Sequence, residues 1–117
     1  MNTRISYMYR DAGNNKVFGD AVIHGTFTES QVEWMTSLLT RFPENGFIPS
    51  EIGLLGLRED FVAGSSYDPG LDHDWHEWEG VEHTDKTPTV SLSAKELLER
   101  FAQIEKKGWD PLSYIFD

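Results

Sequence analysis

The sequence predicts an α+β fold: a small antiparallel sheet, built from an N-terminal β-hairpin plus one or two further short strands, with two amphipathic helices packed on one face. Three observations point there. Residues 4–10 alternate as a strand does; two later stretches open with a capping box and continue as an apolar stripe at helical spacing; and the order runs ββα, an irregular region, a short β segment, then α. At 117 residues the chain has the size of a single domain, 1–117, able to bury one core without staples.

In RISYMYR (4–10), Ile5, Tyr7 and Tyr9 share one face, while Arg4, Ser6, Met8 and Arg10 share the other. Period two in aromatic and β-branched residues predicts a strand. DAGNN (11–15) is rich in residues that tolerate positive φ. KVFGDAVIHG (16–25) supplies a second strand, with Val17, Ala21 and Ile23 on one side and Phe18 and Val22 on the other. Two such runs joined by a short Gly/Asn loop predict a β-hairpin.

Thr28-Glu29-Ser30-Gln31 has the form of a capping box, with Phe27 and Val32 placed as a hydrophobic staple. Val32, Met35, Leu39 and Phe42 then make one stripe, and Pro43 stops it, so the first helix is predicted over 29–42. Ser93-Ala94-Lys95-Glu96 repeats that grammar, with Leu97, Phe101 and Ile104 as the buried stripe. Lys106 and Lys107 suit the negative end of the helix dipole, and Gly108 suits the position after the last turn. The second helix is predicted over 94–107. Trp34 is expected to flank the core from the first helix, and Trp109 to plug the end of the second.

Between the helices, FIPSEIGLLGL (47–57) offers a short helical turn at Pro49 that Gly53 and Gly56 keep from lengthening. LREDFV (57–62) reads as a short strand or a loop. Residues 63–85 form an acidic, loop-rich segment. Within it, WHEWEGVEHT (75–84) reads two ways. Trp75, Trp78 and Val81 recur at a helical spacing of three, yet Gly80 and the β-favouring Trp and Val suit an edge strand.

The net charge of −10 is unevenly spread. Asp68, Asp72, Asp74, Glu77, Glu79, Glu82 and Asp85 place −7 of it within residues 67–85, where no Lys or Arg stands. A focal negative field repels nucleic acid and membrane surfaces and attracts basic protein faces or cations. Direct nucleic-acid binding is therefore not expected. No apolar run approaches the ~20 residues needed to cross a bilayer. MNTRISYMYRD lacks a continuous apolar block and a small-residue cleavage site, so no signal peptide is expected. Without cysteine there is no disulfide, thiolate nucleophile or Cys-ligated zinc. A cytoplasmic protein without a membrane partner is the expectation, with its oligomeric state open.

YMYRDAGNNK (7–16), FIPSEIGL (47–54) and DHDWHEWEGVEHTD (72–85) together resemble a group of small acidic proteins of bacteria and phages. In that group a YRD-x-x-N-x-K hairpin precedes an IP-x-x-x-GL turn and an acidic WHE segment. The matching pieces span about two-thirds of the chain in the same order. The group is uncharacterised, so the resemblance implies one compact domain and a prokaryotic or phage setting, and assigns no residue a role.

Two chemistries fit residues 67–85. In an extended chain, Asp72, Asp74 and His76 share one face; in a helical one, His73 and His76 lie one turn apart. Either could offer N/O ligands to Zn²⁺, Mn²⁺ or Ni²⁺, as in a metal-dependent hydrolase. The HExxH pattern fails because Gly80 stands where its second His belongs, and an EF-hand starting at Asp72 fails because Glu77 replaces the required Gly. Nucleophilic catalysis has little to build on: Ser65 and Ser66 lack a GxSxG context, and His24 is a lone strand-end histidine. No P-loop or dinucleotide-binding glycine pattern is present.

The other chemistry is docking. Tryptophan is enriched at binding hot spots because it buries a large area at little rotamer cost. Trp75 and Trp78 stand among Asp72, Asp74, Glu77, Glu79 and Glu82, an apolar anchor with an anionic rim suited to a basic partner; the other reading is that both tryptophans cap the core from a long loop. An antitoxin, an immunity protein or a phage inhibitor of a nucleic-acid-binding defence enzyme, such as an anti-CRISPR protein, would be built this way. The expectation is a non-enzymatic, cofactor-free interaction module, with the metal-dependent hydrolase as the alternative.

Overall fold

The alternation near the N-terminus becomes strand β1 (Asn2–Arg10), paired antiparallel with β2 (Lys16–Ile23). This computed structural model describes residues 1–10, 16–41, 44–57 and 75–109. After the hairpin come helix α1 (Glu29–Ser37), strand β3 (Gly46–Phe47), a 3₁₀ turn (Pro49–Ile52), strand β4 (His76–Thr84) and helix α2 (Ala94–Lys107). The sheet order is β2-β1-β4-β3, antiparallel throughout. The expected α+β architecture is present.

β1 buries Thr3, Ile5, Tyr7 and Tyr9 on its inner face. The Thr3 hydroxyl donates to the Gly25 carbonyl at 2.7 Å, so this buried polar group is satisfied. Tyr7 lies opposite Gly19, whose missing side chain makes room for Leu57. A Cβ at position 19 would come within 2.6 Å of Leu57 Cδ2. Val22, on the opposite face, is also buried. Its N–H donates to Thr89 Oγ1 and its carbonyl accepts from the Thr89 N–H, both at 2.9 Å. Residues 89–94 thus run beside the end of β2, continuing through His24 N–H to Leu92 O and Ala94 N–H to His24 O.

The capping box of α1 forms as expected: Thr28 Oγ1 accepts from Gln31 N–H and Gln31 Oε1 accepts from Thr28 N–H. The helix ends five residues earlier than the stripe suggests, at Ser37 rather than 42. Thr40 exchanges two backbone hydrogen bonds with Gly46, at 2.9 and 3.3 Å, which requires the chain to leave the helix. Trp109 Nε1 donates to Leu38 O at 3.0 Å and so satisfies one carbonyl of the helix end. Phe42 lies outside the described residues.

Helix α2 has the expected bounds. Ser93 Oγ accepts from Glu96 N–H, Leu97, Phe101 and Ile104 are buried, and Gly108 at φ 76° closes the helix with a bond to Ile104 O. Trp109 then folds back, its ring 6.1 Å from Phe101 at 89°. Met35 of α1 and the α2 stripe join Ile5, Tyr7, Phe47 and Trp78 in one apolar cluster on the inner face. No helix among the described residues is long and apolar enough to cross a membrane.

β4 explains why 75–84 resisted a single reading. The β1–β4 register slips between Ser6/Gly80 and Tyr7/Trp78, leaving Glu79 as an extra residue, a β-bulge. Gly80 adopts φ 153° there. The bulge converts period two into a local spacing of three, so Trp78 and Val81 both face inward although three residues apart. Over 76–78 the strand is interior, covered by β3 and by Asn45, whose carbonyl accepts from Trp78 N–H at 2.8 Å. Beyond that point it becomes an edge, as one of the two readings expects.

Candidate functional site

Of the residues expected to meet a partner or a metal, Asp72, His73 and Asp74 lie outside the described residues, as do Asp68, Ser65 and Ser66. The others sit on or beside β4 and divide by face.

Inward lie His76 and Trp78. His76 is 2 % exposed and stacked among Tyr9, Tyr7 and Phe47, with ring centroids 5.0, 6.1 and 6.1 Å away. Its Nε2 accepts a hydrogen bond from Leu57 N–H at 2.9 Å, so this lone pair holds the backbone after the 3₁₀ turn. The imidazole is a packing and hydrogen-bonding element of the core. Among the described residues, no group of three or more His, Asp or Glu side chains is disposed to hold a metal ion.

Trp78 is 6 % exposed and packs edge-on against Phe47 and Phe101, at 5.4 and 5.9 Å. It is a core residue, which corrects its expected place at a docking surface and agrees with the alternative that it caps the core. Ordinary alternation is the cause: Trp78 lies two residues after buried His76, and the two stand opposite Tyr7 and Tyr9 on the inner face. Its Nε1 finds no hydrogen-bond partner among the described residues. Trp75 is half-buried with its ring 6.3 Å from that of Trp109, so it closes the rim of the same cluster. Trp34 flanks the core, 6.4 Å from Phe101, and donates from Nε1 to Glu105 at 2.9 Å.

Above this core, Tyr7 donates from its hydroxyl to Leu55 O at 2.6 Å. Burial, reinforced by the charge of Asp20, pushes its phenol up to about 12. That proton stays in place across the physiological range, so Tyr7 is a fixed donor and not an acid–base group.

Outward lie the carboxylates. Glu77 accepts from Arg10 through both oxygens, at 2.8 and 3.4 Å. This hydrogen bond, assisted by the charges of Glu77 and Glu79, holds the Arg10 guanidinium above its already high value. Glu82 pairs with Arg4 at 3.0 Å, and Arg4 bonds Asp20 at 2.8 Å from the other side. The Arg4 bridges are exposed and contribute at most about 1 kcal/mol each. Glu79, Glu82 and Asp85 are exposed along the outer part of β4 and just after it.

Two further features were not singled out from sequence. One is a cleft of about 370 Å³ between β4 and the start of α1, lined by Thr3, Phe27, Glu29, Val32, Val81 and His83, with Glu82 at its rim. The other is a cleft of about 500 Å³ beside β2, flanked by Phe18 and Leu55, which are 66 % and 71 % exposed. Alternation of Val81 and His83 beyond Gly80 was the available signal for the first. Nothing in the sequence separates Leu55 from the core leucines around it. No family model, curated protein or solved structure matches the chain.

Proposed function

We propose that this chain is a small acidic protein-interaction module that binds a basic protein partner through the outer part of β4. The observation that supports this most is that Glu79, Glu82 and Asp85 stand exposed in a row within the stretch that carries −7 of the net −10. Glu77 and Glu82 contribute less than Glu79 and Asp85, because Arg10 and Arg4 already pair with them. In its most concrete form, the partner is a nucleic-acid-binding protein of a bacterial or phage system. Its basic groove meets carboxylates in place of phosphates, as for an antitoxin, an immunity protein or an anti-defence inhibitor. The hydrolase reading has less to draw on, since His76 is buried and its Nε2 already serves Leu57.

The test is a binding measurement with a partner captured from bacterial lysate, then purified. Replacing Glu79 and Glu82 by Gln and Asp85 by Asn is expected to weaken binding by about tenfold or more and to flatten its salt dependence. An unchanged affinity, or a partner without a basic face, would count against the proposal.

A further inference from the structure

The backbone of β4 carries information that its side chains do not. Two bonds fix the parity of the ladder: Trp78 N–H points away from β1 to Asn45 O, and Val22 of β2 points away from β1 to Thr89. In an antiparallel ladder, alternate residues turn both backbone groups to the same neighbour. Counting from Val22 through its partner Arg4 to Glu82, and from Trp78 through the bulge, gives one answer. Glu82 bonds β1, and Val81 and His83 turn their N–H and C=O outward. Among the described residues nothing accepts from or donates to those four groups; His83 is exposed and Val81 half-buried. The far end of β2, in contrast, is bonded by Thr89 and Leu92.

We infer that the β4 edge at Val81–His83 is a strand-addition site for an extended segment of a partner, in which apolar residues alternate with Lys or Arg. This rests on the reading of the chain as a module for basic partners and states how the partner is held. An added strand continues the pleat of the sheet, so its alternate side chains follow the two faces of β4. Those on the inner face would sit beside Val81, over the cleft walled by Phe27 and Val32. Those on the outer face would sit near exposed Glu79, where a cation is complementary, and beside Glu82, which shares Arg4 with Asp20. Two edge residues with four backbone groups match about three residues of an added strand, or roughly 10 Å.

Charge selects this occupant over a second copy of the chain. Pairing β4 with β4 of another copy would bring Glu79 and Glu82 of one against those of the other, between two bodies each carrying −10. Like charges placed across a strand pair oppose it.

The probe is a synthetic octapeptide alternating Leu and Lys, compared with the same peptide N-methylated at alternate residues along one edge and with Val32→Phe, which fills the cleft. The unmodified peptide is expected to bind, with affinity falling about tenfold or more on N-methylation and on Val32→Phe. Phe18→Ser, beside the other cleft, is expected to leave binding unchanged. Binding that depends on Glu79 and Glu82 but ignores N-methylation overturns strand addition while leaving the acidic docking face standing. Binding that depends on Phe18 moves the site to β2 and overturns it too. If the peptide does not bind while a purified basic partner does, strand addition fails and the docking reading survives; if neither binds, both fail.

Discussion

Replacing Trp78 by Ala separates a core tryptophan from a docking anchor. The indole is 6 % exposed and lies edge-on between Phe47 and Phe101, 5.4 and 5.9 Å from their centroids. Truncating a buried aromatic costs the lost transfer energy plus the cavity left behind, about 3–5 kcal/mol. Small domains have only about 5–15 kcal/mol of stability, so the loss would show as a large fall in the urea midpoint. Trp78→Phe makes the account sharper. It keeps a ring between the neighbours and removes the Nε1–H, which has no partner among the described residues. Burying an unpaired donor costs about 1–3 kcal/mol, so its removal offsets much of the lost area. Trp78→Phe is therefore expected to stay within about 1.5 kcal/mol of the parent. The assay is urea unfolding followed by far-UV circular dichroism, since fluorescence would change with the tryptophan itself. A Trp78→Ala protein within about 0.5 kcal/mol of the parent, as for an exposed side chain, would refute the reasoning.

His76→Ala is expected to cost about 2–4 kcal/mol in the same assay, because it opens a hole among Tyr7, Tyr9 and Phe47 and leaves the Leu57 N–H without its acceptor. Tyr7 links stability to alkaline pH. Its phenol is neutral when protonated and its folded value is raised to about 12, so its contribution is complete below pH ~10 and lost as pH rises through the folded value. The stability advantage of the parent over Tyr7→Phe should shrink by up to roughly 3 kcal/mol across that window, measured by urea unfolding at stepped pH; a constant difference would contradict it. Gly19→Ala is expected to lose about 1–2 kcal/mol through its clash with Leu57, and Leu57→Ala should relieve that clash in a double-mutant cycle.

How much of this was legible depended on whether local pattern and tertiary pairing agreed. The inner face of the hairpin and the whole of α2 could be read directly, because alternation, caps and stripe point to the same structure, whereas the burial of Met8 and Val22 on the hairpin's other face could not. The start of α1 was equally plain, but its end was not. Leu39 continues the stripe, and only the pairing of Thr40 with Gly46, a contact between residues six apart, ends the helix sooner. β3 is two residues long and carries no period to detect. In β4, the bulge at Glu79 gave Trp78 and Val81 a helical spacing inside a strand. That one inserted residue also hid which face Val81 and His83 take. It placed Val81 and His83 on the same face as Trp78, opposite Ile5 and Thr3. The concentration of carboxylates was visible from sequence, whereas the division between ion-paired Glu77 and exposed Glu79 required the sheet.

The central claim is that β4 offers an open edge at Val81 and His83 to an extended basic segment. Amide hydrogen exchange at these two residues, followed by NMR in the free protein and with the Leu/Lys octapeptide bound, tests it most directly. The account predicts fast exchange of both amides in the free protein, slower by at least about tenfold in the complex, with Glu82 and Ile5 already slow in both. Val81 and His83 amides that are protected before any partner is added, or that exchange equally fast when the peptide is bound, would contradict it.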